Sequence, residues 1–157
     1  RQGKLNPDFH GMGTTLTAVA VIGSRAVGVH VGDSRLYLWR RGVLRQLSTD
    51  HSVVEELVRS GAITSQTALN HPFRNILTRA LGTEQNVQVD LIDEKTAAGD
   101  RLLLCSDGLT NMVLDEEIET IVNNPSKTLE ELVNELVALA LRRGGYDNIT
   151  VVLAQLD

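Results

Sequence analysis

Three aspartates stand at the ends of apolar runs, in places where their side chains could do chemistry. Asp33 and Asp107 each follow such a run, and Asp147 comes shortly before one. Strand ends are where rigid scaffolds present functional groups, and short carboxylates are the kind of oxygen ligand that Mg²⁺ and Mn²⁺ prefer. A fold that brings the three together would therefore hold a divalent metal. The alternative is three unrelated turns, since the pair Asp107-Gly108 is common in turns.

Five short motifs follow one another along the chain. They are Gly11-Met12-Gly13-Thr14-Thr15, Val31-Gly32-Asp33-Ser34-Arg35, Leu47-Ser48-Thr49-Asp50-His51-Ser52, Cys105-Ser106-Asp107-Gly108-Leu109-Thr110 and Asp147-Asn148-Ile149-Thr150. In this order they resemble the PP2C-like (PPM) family of metal-dependent serine/threonine protein phosphatases, and its compact bacterial members most of all. The resemblance extends over nearly the whole chain, and five ordered motifs are much more specific than any one of them.

The resemblance implies an α+β fold, the PP2C-like α-β-β-α sandwich in which two antiparallel sheets are flanked by helices. It also implies an enzyme that hydrolyses phosphoserine and phosphothreonine in proteins, with a water molecule activated by two metal ions as the nucleophile. The implied cofactors are two or three Mn²⁺ or Mg²⁺ ions. The implied partners are phosphorylated proteins, including a cognate Ser/Thr kinase, and we expect a cytoplasmic location.

The resemblance further implies roles for individual residues. Asp107 and Asp147 match ligands of the metal pair, and Asp33 together with Asp107 matches ligands of a third, more weakly held metal. Gly108 and Asn148 are expected to support these ligands without touching the metal, and no catalytic side chain is expected beyond the metal ligands. Arg35 is predicted to form a structural ion pair rather than to bind phosphate.

Residues 48 to 70 correspond to the mobile flap beside the active site of the family. The residues that we expect to contact substrate there are Ser48, Asp50, His51, Ser52 and Gly61. The alternative is a surface helical insert with no role in recognition. The histidines show no metal-ligand spacing, so we otherwise expect structural roles for His10, His30, His51 and His71.

Two motifs of the family are absent from this sequence: the Arg-rich segment that binds the substrate phosphate and the Asp-Gly-x-Gly-Gly motif that binds both metals. Residues 1 to 157 therefore resemble the C-terminal two-thirds of a phosphatase domain, incomplete at the N-terminus. We expect this chain to be inactive alone, and to associate across an open sheet edge with a second copy or with a separate N-terminal piece. The alternative is a non-catalytic PP2C-like regulatory or scaffolding module.

Composition and spacing argue against several other classes of protein. The net charge of −5 and the pI near 5.3 argue against nucleic-acid binding, and no apolar run approaches the roughly 20 residues that span a membrane. A cysteine phosphatase would carry Cys-x5-Arg, but Asn111 stands six residues after Cys105. A serine hydrolase elbow would need glycine where Leu36 stands.

Local patterns predict the elements that position these residues. Strands are expected over residues 14–22, 25–31, 35–40, 43–47, 76–81 (or an extended segment), 87–92, 101–106 and 149–156, with the first four in one antiparallel meander. Capping boxes at Ser52 and Thr128 begin two helices, and Thr64 and Asp115 are expected to cap two more. Residues 1 to 11 are expected to form a loop or linker.

Overall fold

The computed structural model describes Asn6, Asp8 and residues 11–157, so His10 and most of the predicted N-terminal loop lie outside the described residues. The strands are β1 (Leu16–Ile22), β2 (Arg25–Val31), β3 (Arg35–Arg40), β4 (Val43–Gln46), β5 (Asp90–Lys95), β6 (Arg101–Cys105) and β7 (Val151–Gln155). The helices are α1 (Val53–Arg59), α2 (Ser65–Ala68), α3 (Asp107–Thr110), α4 (Asp115–Val122) and α5 (Leu129–Arg142).

The strands form two antiparallel sheets. The first sheet has the order β1-β2-β5, and the second has the order β4-β3-β6-β7. In the first sheet, Val19 of β1 and Ile92 of β5 lie on either side of Gly28 of β2. In the second sheet, Leu103 of β6 lies opposite Tyr37 of β3. Two antiparallel sheets with helices confirm the predicted α+β class.

The second sheet is buried on both faces. Leu36 and Leu102 pack in the core shared with the first sheet, whereas Tyr37 and Leu103 pack in the core shared with the helices. Because successive side chains of a strand point to opposite faces, β3 and β6 contribute to both cores. This double burial explains why Leu102 to Cys105 form an uninterrupted apolar run.

Helices α3, α4 and α5 cover the outer face of the second sheet. Leu109 of α3, Ile118 of α4 and Leu136 of α5 are fully buried in the same core. Cys105 lies in this core too, and burial raises the pKa of its thiol to about 12. The cysteine is therefore a packing residue.

The outer face of the first sheet differs from that of the second. Leu16, Ile22, Val27 and Leu91 share this face by strand register, and all four are exposed in the described part of the chain. The helices that the resemblance placed on both sides of the sandwich therefore lie on one side only within residues 11–157.

The predicted helix starts are largely confirmed. The side chains of Ser52, Thr64 and Thr128 each accept a hydrogen bond from a backbone N–H in the first turn of α1, α2 and α5. The prediction for α4 is wrong by one residue, because Leu114 is the N-cap and Asp115 is the first helical residue. The carboxylate of Asp115 does not cap the helix. Its Oδ1 accepts a hydrogen bond from the Tyr37 hydroxyl at 2.9 Å.

The predicted meander of the first four strands is wrong. β1 pairs with β2, and β3 pairs with β4, but the two hairpins lie in different sheets. The short segment from Gly32 to Ser34 carries the chain from one sheet to the other. Gly32 has φ +111°, a conformation that side chains disfavour, so the crossing begins at a glycine.

Several strand bounds also differ from the predicted ones. The strand expected over 87–92 is β5, over Asp90–Lys95, because these are the residues that pair with Arg25 to His30 of β2. Residues 76–81 form no strand, only isolated bridges that join Leu77 to Ser52 and Leu81 to Thr14. β1 starts at Leu16, β4 ends at Gln46, β6 ends at Cys105, and β7 spans Val151–Gln155.

Among the described residues, no helix has the length and hydropathy that crossing a bilayer requires.

The ion pair between Arg40 and Asp100 tests how much a buried carboxylate depends on its cation for stability. The Asp100 side chain is 3% exposed, and it accepts two hydrogen bonds from Arg40, at 2.9 and 2.6 Å, and one from the Ala97 N–H. Arg40→Met leaves a buried carboxylate without its cation. We expect the melting temperature, followed by circular dichroism, to fall by several degrees.

The matched control is Arg25→Met, which removes an ion pair that is exposed at both ends. Exposed pairs contribute little to stability, so the melting temperature should hardly change. Equal losses in the two variants would show that burial of Asp100 does not decide the effect.

Candidate metal centre

Asp33 lies in the crossing between the two sheets, directly after Gly32. A side chain at position 32 would bring its Cβ to 2.3 Å from Thr15 Cγ2, so only glycine fits there. The hydroxyl groups of Thr15 and Ser34 are 2.8 Å apart on the other side of Asp33. Asp33 is thus half-buried on a segment whose backbone is fixed from both ends.

Asp107 lies at the end of the central strand β6 and is the first residue of helix α3. The sequence predicted a turn or a metal ligand here, and the chain in fact enters a short helix. Asn111, one turn later, donates its side-chain N–H to Asp107 Oδ2 at 3.2 Å. Residues four apart on a helix face each other, so Asn111 holds the carboxylate in place.

The segment that carries Asp147 is attached directly to the start of α3. The Ser106 hydroxyl donates to the Asn148 carbonyl at 3.0 Å and accepts from the Thr150 N–H at 3.0 Å. A Cβ at Gly108 would lie 2.4 Å from the Asn148 carbonyl oxygen. Glycine at 108 therefore permits the close approach that brings Asp147 beside Asp107.

Asn148 contacts Asp147 through its backbone. The Asn148 N–H donates to Asp147 Oδ1 at 2.7 Å. This contact fixes one oxygen of an otherwise exposed carboxylate. The predicted roles of Gly108 and Asn148 in supporting metal ligands remain predictions, but both residues contact the segments that carry the aspartates.

The electrostatics place Asp107 between the other two aspartates. Burial, followed by the negative charges of Asp107 and Asp50, raises the pKa of Asp33 to about 6. Burial, followed by the charge of Asp147, also raises the pKa of Asp107. The carboxylates of Asp33 and Asp107 are therefore destabilised in their charged forms by their surroundings. The arrangement consists of two pairs, Asp33 with Asp107 and Asp107 with Asp147.

These pairs fit divalent cations, although incompletely. Hard cations take oxygen ligands, and a cation between two carboxylates removes the repulsion that raises their pKa values. No group of three or more His, Cys, Asp or Glu side chains is placed to hold one ion among the described residues. The chain thus offers two carboxylates to each of two positions, with Asp107 common to both.

A groove of about 760 Å³ opens beside these carboxylates. Asp33 and Asp107 line it, together with Asp50, Ser52 and Glu55 of the predicted flap. Further residues of helices α1 and α2 and Leu114 to Glu116 complete the lining. Two of the three aspartates and part of the predicted flap therefore face one groove.

The other three flap residues do not line this groove in the described structure. The Ser48 hydroxyl accepts the Leu36 N–H at 3.0 Å, and the His51 ring accepts the Gly32 N–H at 3.1 Å. Gly61 has φ +76° and follows the end of α1, facing open space. Ser48 and His51 thus hold the scaffold, and contact of any flap residue with substrate stays a prediction.

The prediction for Arg35 agrees with the structure. Its guanidinium forms a bidentate ion pair with Asp50, with Nη2 to Oδ2 at 2.8 Å. It also donates to the hydroxyl of Tyr37 and lies 3.5 Å from Asp115. Sequence analysis missed these last two partners, because they lie on other elements and local spacing gives no signal for them.

Replacing Asp33 tests the electrostatics of the centre. A carboxyl whose pKa rises from 3.8 to about 6 on folding binds a proton in that window, so stability falls as pH rises through it. Asp33→Asn removes this cost at neutral pH. We expect the metal-free chain to gain about 1 to 2 kcal/mol at pH 7.5, after allowance for solvent screening of a half-buried group.

The gain should vanish at pH 4, where Asp33 of the wild type already carries its proton in the folded chain. Chemical denaturation at both pH values measures it. Asp93→Asn, at an exposed edge position, is the control. A gain that is equal at both pH values would contradict the assigned repulsion.

The chain matches known proteins over nearly its whole length. The family model of protein phosphatase 2C matches residues 2–153. The serine/threonine phosphatase stp of Listeria monocytogenes is 50% identical over 150 residues, which make up 96% of this chain and 59% of that protein. The chain therefore spans well under two thirds of the length of this relative.

Solved structures confirm the fold. The crystal structure of the Mycobacterium tuberculosis serine/threonine phosphatase PstP/Ppp matches with a TM-score of 0.92 and 46% identity, over 99% of this chain and 65% of that one. The catalytic domain of PstP in complex with two manganese ions matches with a TM-score of 0.88 and 44% identity, over 99% of this chain and 64% of that one. The chain belongs to the protein phosphatase 2C family.

Proposed function

We propose that this chain is part of a protein that hydrolyses phosphoserine and phosphothreonine in other proteins and that requires Mn²⁺ or Mg²⁺. The observation that carries the proposal is the position of Asp107. This half-buried carboxylate lies between two further carboxylates, at the mouth of a groove, in a member of the protein phosphatase 2C family. Relatives named as serine/threonine phosphatases support the same activity.

Each carboxylate has a definite role in this proposal. Asp107 and Asp147 are ligands of the metal pair, and Asp33 and Asp107 hold a third, more weakly bound cation. Bound cations of this kind lower the pKa of coordinated water and stabilise phosphoryl oxygens in the transition state. Asn111 and the backbone of Asn148 hold the carboxylates in place. A two-manganese complex of a relative supports the choice of metal.

The groove is proposed to bind the substrate polypeptide, and Arg35 is proposed to have a structural role. The groove beside Asp33 and Asp107 holds the polypeptide on both sides of the phosphorylated residue. Arg35 does not bind the phosphate, because its guanidinium is already paired with Asp50. Its contribution is to hold Asp50, at the start of the flap, against the second sheet.

We further propose that the described residues supply only part of the metal ligands. They offer carboxylate pairs rather than groups of three, and the chain spans 59% of the length of its Listeria relative. On this proposal the 157-residue chain alone is inactive. The apolar outer face and open edge of the first sheet then bind an N-terminal segment or a second copy of the chain.

The proposed partners are phosphorylated proteins, including a cognate Ser/Thr kinase, and the proposed location is the cytoplasm. The net charge of −5 argues against a nucleic acid as partner.

The test is hydrolysis of phosphothreonine and phosphoserine peptides by the parent protein in the presence of Mn²⁺. We expect turnover that a chelator abolishes and that Asp107→Asn lowers by orders of magnitude, because the shared ligand loses its charge. Asp93→Asn, which changes an exposed aspartate on β5, should leave turnover unchanged. The 157-residue chain, assayed alongside, should show none.

The alternative is a non-catalytic regulatory or scaffolding module, which the incomplete ligand groups would favour. A folded parent protein with no Mn²⁺-dependent turnover on any phosphopeptide would establish that alternative. Turnover that persists in Asp107→Asn would instead refute the assignment of the metal ligands.

A further inference from the structure

His51 is a buried residue that bonds to both sides of the glycine preceding Asp33. Its backbone N–H donates to the Gly32 carbonyl at 2.8 Å, and its ring Nδ1 accepts the Gly32 N–H at 3.1 Å. The His51 side chain is 5% exposed, so water does not compete for these bonds. Both hydrogen-bonding groups of Gly32 are thus held by one residue, 19 positions along the chain.

The hydrogen bonds fix the tautomer of the His51 ring. A backbone N–H only donates, so Nδ1 carries no proton and Nε2 carries it. Nε2 lies 3.1 Å from Asp90 Oδ2, to which it donates. Arg79 Nη1 donates to the other oxygen of Asp90 at 2.8 Å and also lies 3.1 Å from His51 Nε2. An arginine N–H can only donate, and a neutral ring that accepts at Nδ1 keeps its proton on Nε2, so the Nε2–H is directed to Asp90 rather than Arg79 to the ring. The ring also packs against His30, with centroids 4.8 Å apart.

Gly32 gains direct support from these two bonds. Its φ of +111° is a conformation that glycine adopts and other residues disfavour, and it has no side chain of its own to hold it in place. The Gly32 carbonyl belongs to the peptide unit that continues into Asp33. Holding this carbonyl and the preceding N–H therefore sets the direction in which the Asp33 side chain leaves the backbone.

We propose that His51 is a positioning residue for the metal centre: through Gly32 it orients the Asp33 carboxylate toward Asp107 and so sets the affinity of the cation between them. This inference rests on the proposed function, which makes Asp33 a metal ligand. His51 itself touches neither substrate nor metal. Outer partners that orient metal ligands typically change metal affinity by about 10- to 100-fold when they are lost.

Two substitutions separate the two bonds of the ring. In His51→Asn the side-chain oxygen can take the place of Nδ1 and accept the Gly32 N–H, while the bond to Asp90 is lost. In His51→Gln the side-chain N–H₂ can take the place of Nε2 and donate to Asp90, while the acceptor for Gly32 is lost. Both variants remove the ring, so loss of packing is common to them.

The measurement is Mn²⁺ affinity of the chain, by calorimetry or by electron paramagnetic resonance of the free ion. We expect His51→Gln to weaken the Asp33-dependent binding by about tenfold and His51→Asn to retain it within a few-fold. In the Asp33→Asn background, His51→Gln should cause no further loss, because the residue acts through Asp33. Equal losses in both His51 variants, or additive losses, would overturn the inference.

A measurement on the wild-type chain does not depend on any variant folding. In nitrogen-15 labelled protein, the N–H···N bond from Gly32 to His51 Nδ1 should give a scalar coupling between the two nitrogens. The ring should also show the Nε2–H tautomer. Absence of the coupling in folded protein, or a protonated Nδ1, would overturn the inference.

The outcomes also separate this inference from the proposed function. If Asp33→Asn leaves Mn²⁺ affinity unchanged, the metal role of Asp33 fails, and the positioning role of His51 fails with it. If Asp33→Asn weakens binding but His51→Gln does not, only the role of His51 fails, and the proposed ligand stands.

Discussion

Confined negative charge is the constraint on which the centre depends. Asp33 and Asp107 are half-buried near one another, and Asp147 adds a third charge on the other side of Asp107. Burial and the neighbouring charges disfavour ionisation of Asp33 and Asp107, so these two carboxylates are held at a cost in stability. A fold that keeps them there must supply rigid backbone at every position, and a cation then relieves the repulsion that the backbone imposes.

The backbone supplies this rigidity through a few contacts between distant segments. The Ser106 hydroxyl and the bare backbone of Gly108 attach the segment of Asp147 to the start of α3. His51 holds the glycine before Asp33. Beneath them, the doubly buried second sheet carries Asp107 at the end of its central strand. Sheet packing, close backbone contacts and side-chain hydrogen bonds thus all fix the backbone beside the aspartates.

Features that are set by residues close together in the sequence could be predicted, whereas features that are set by tertiary contacts could not. Local chemistry predicted the caps at Ser52, Thr64 and Thr128. It failed where tertiary contacts decide: Asp115 bonds to Tyr37 instead of capping α4, and β2 and β3 lie in separate sheets. Neither the bond between Asp115 and Tyr37 nor the separation of β2 and β3 can be recognised from the residues next to them in the sequence.

The same distinction holds at the candidate site. The family followed from ordered motifs, which summarise long-range contacts that spacing alone does not give, whereas the metal-binding roles of the three aspartates stay predictions. The residues that hold these aspartates lie far away in sequence and could be identified only from the structure. An example is His51, which bonds to Gly32, the residue before Asp33. The predicted contacts of flap residues with substrate remain untested, and only Asp50 and Ser52 of the five line the groove.

On this proposal Asp107 is shared between two cation positions. Anomalous scattering at the manganese edge, from crystals of the protein equilibrated with Mn²⁺, locates those positions. We expect one peak between Asp107 and Asp147 and a weaker one between Asp33 and Asp107. Manganese peaks elsewhere on the protein, with none beside Asp107, would show that Asp107 is not a shared ligand.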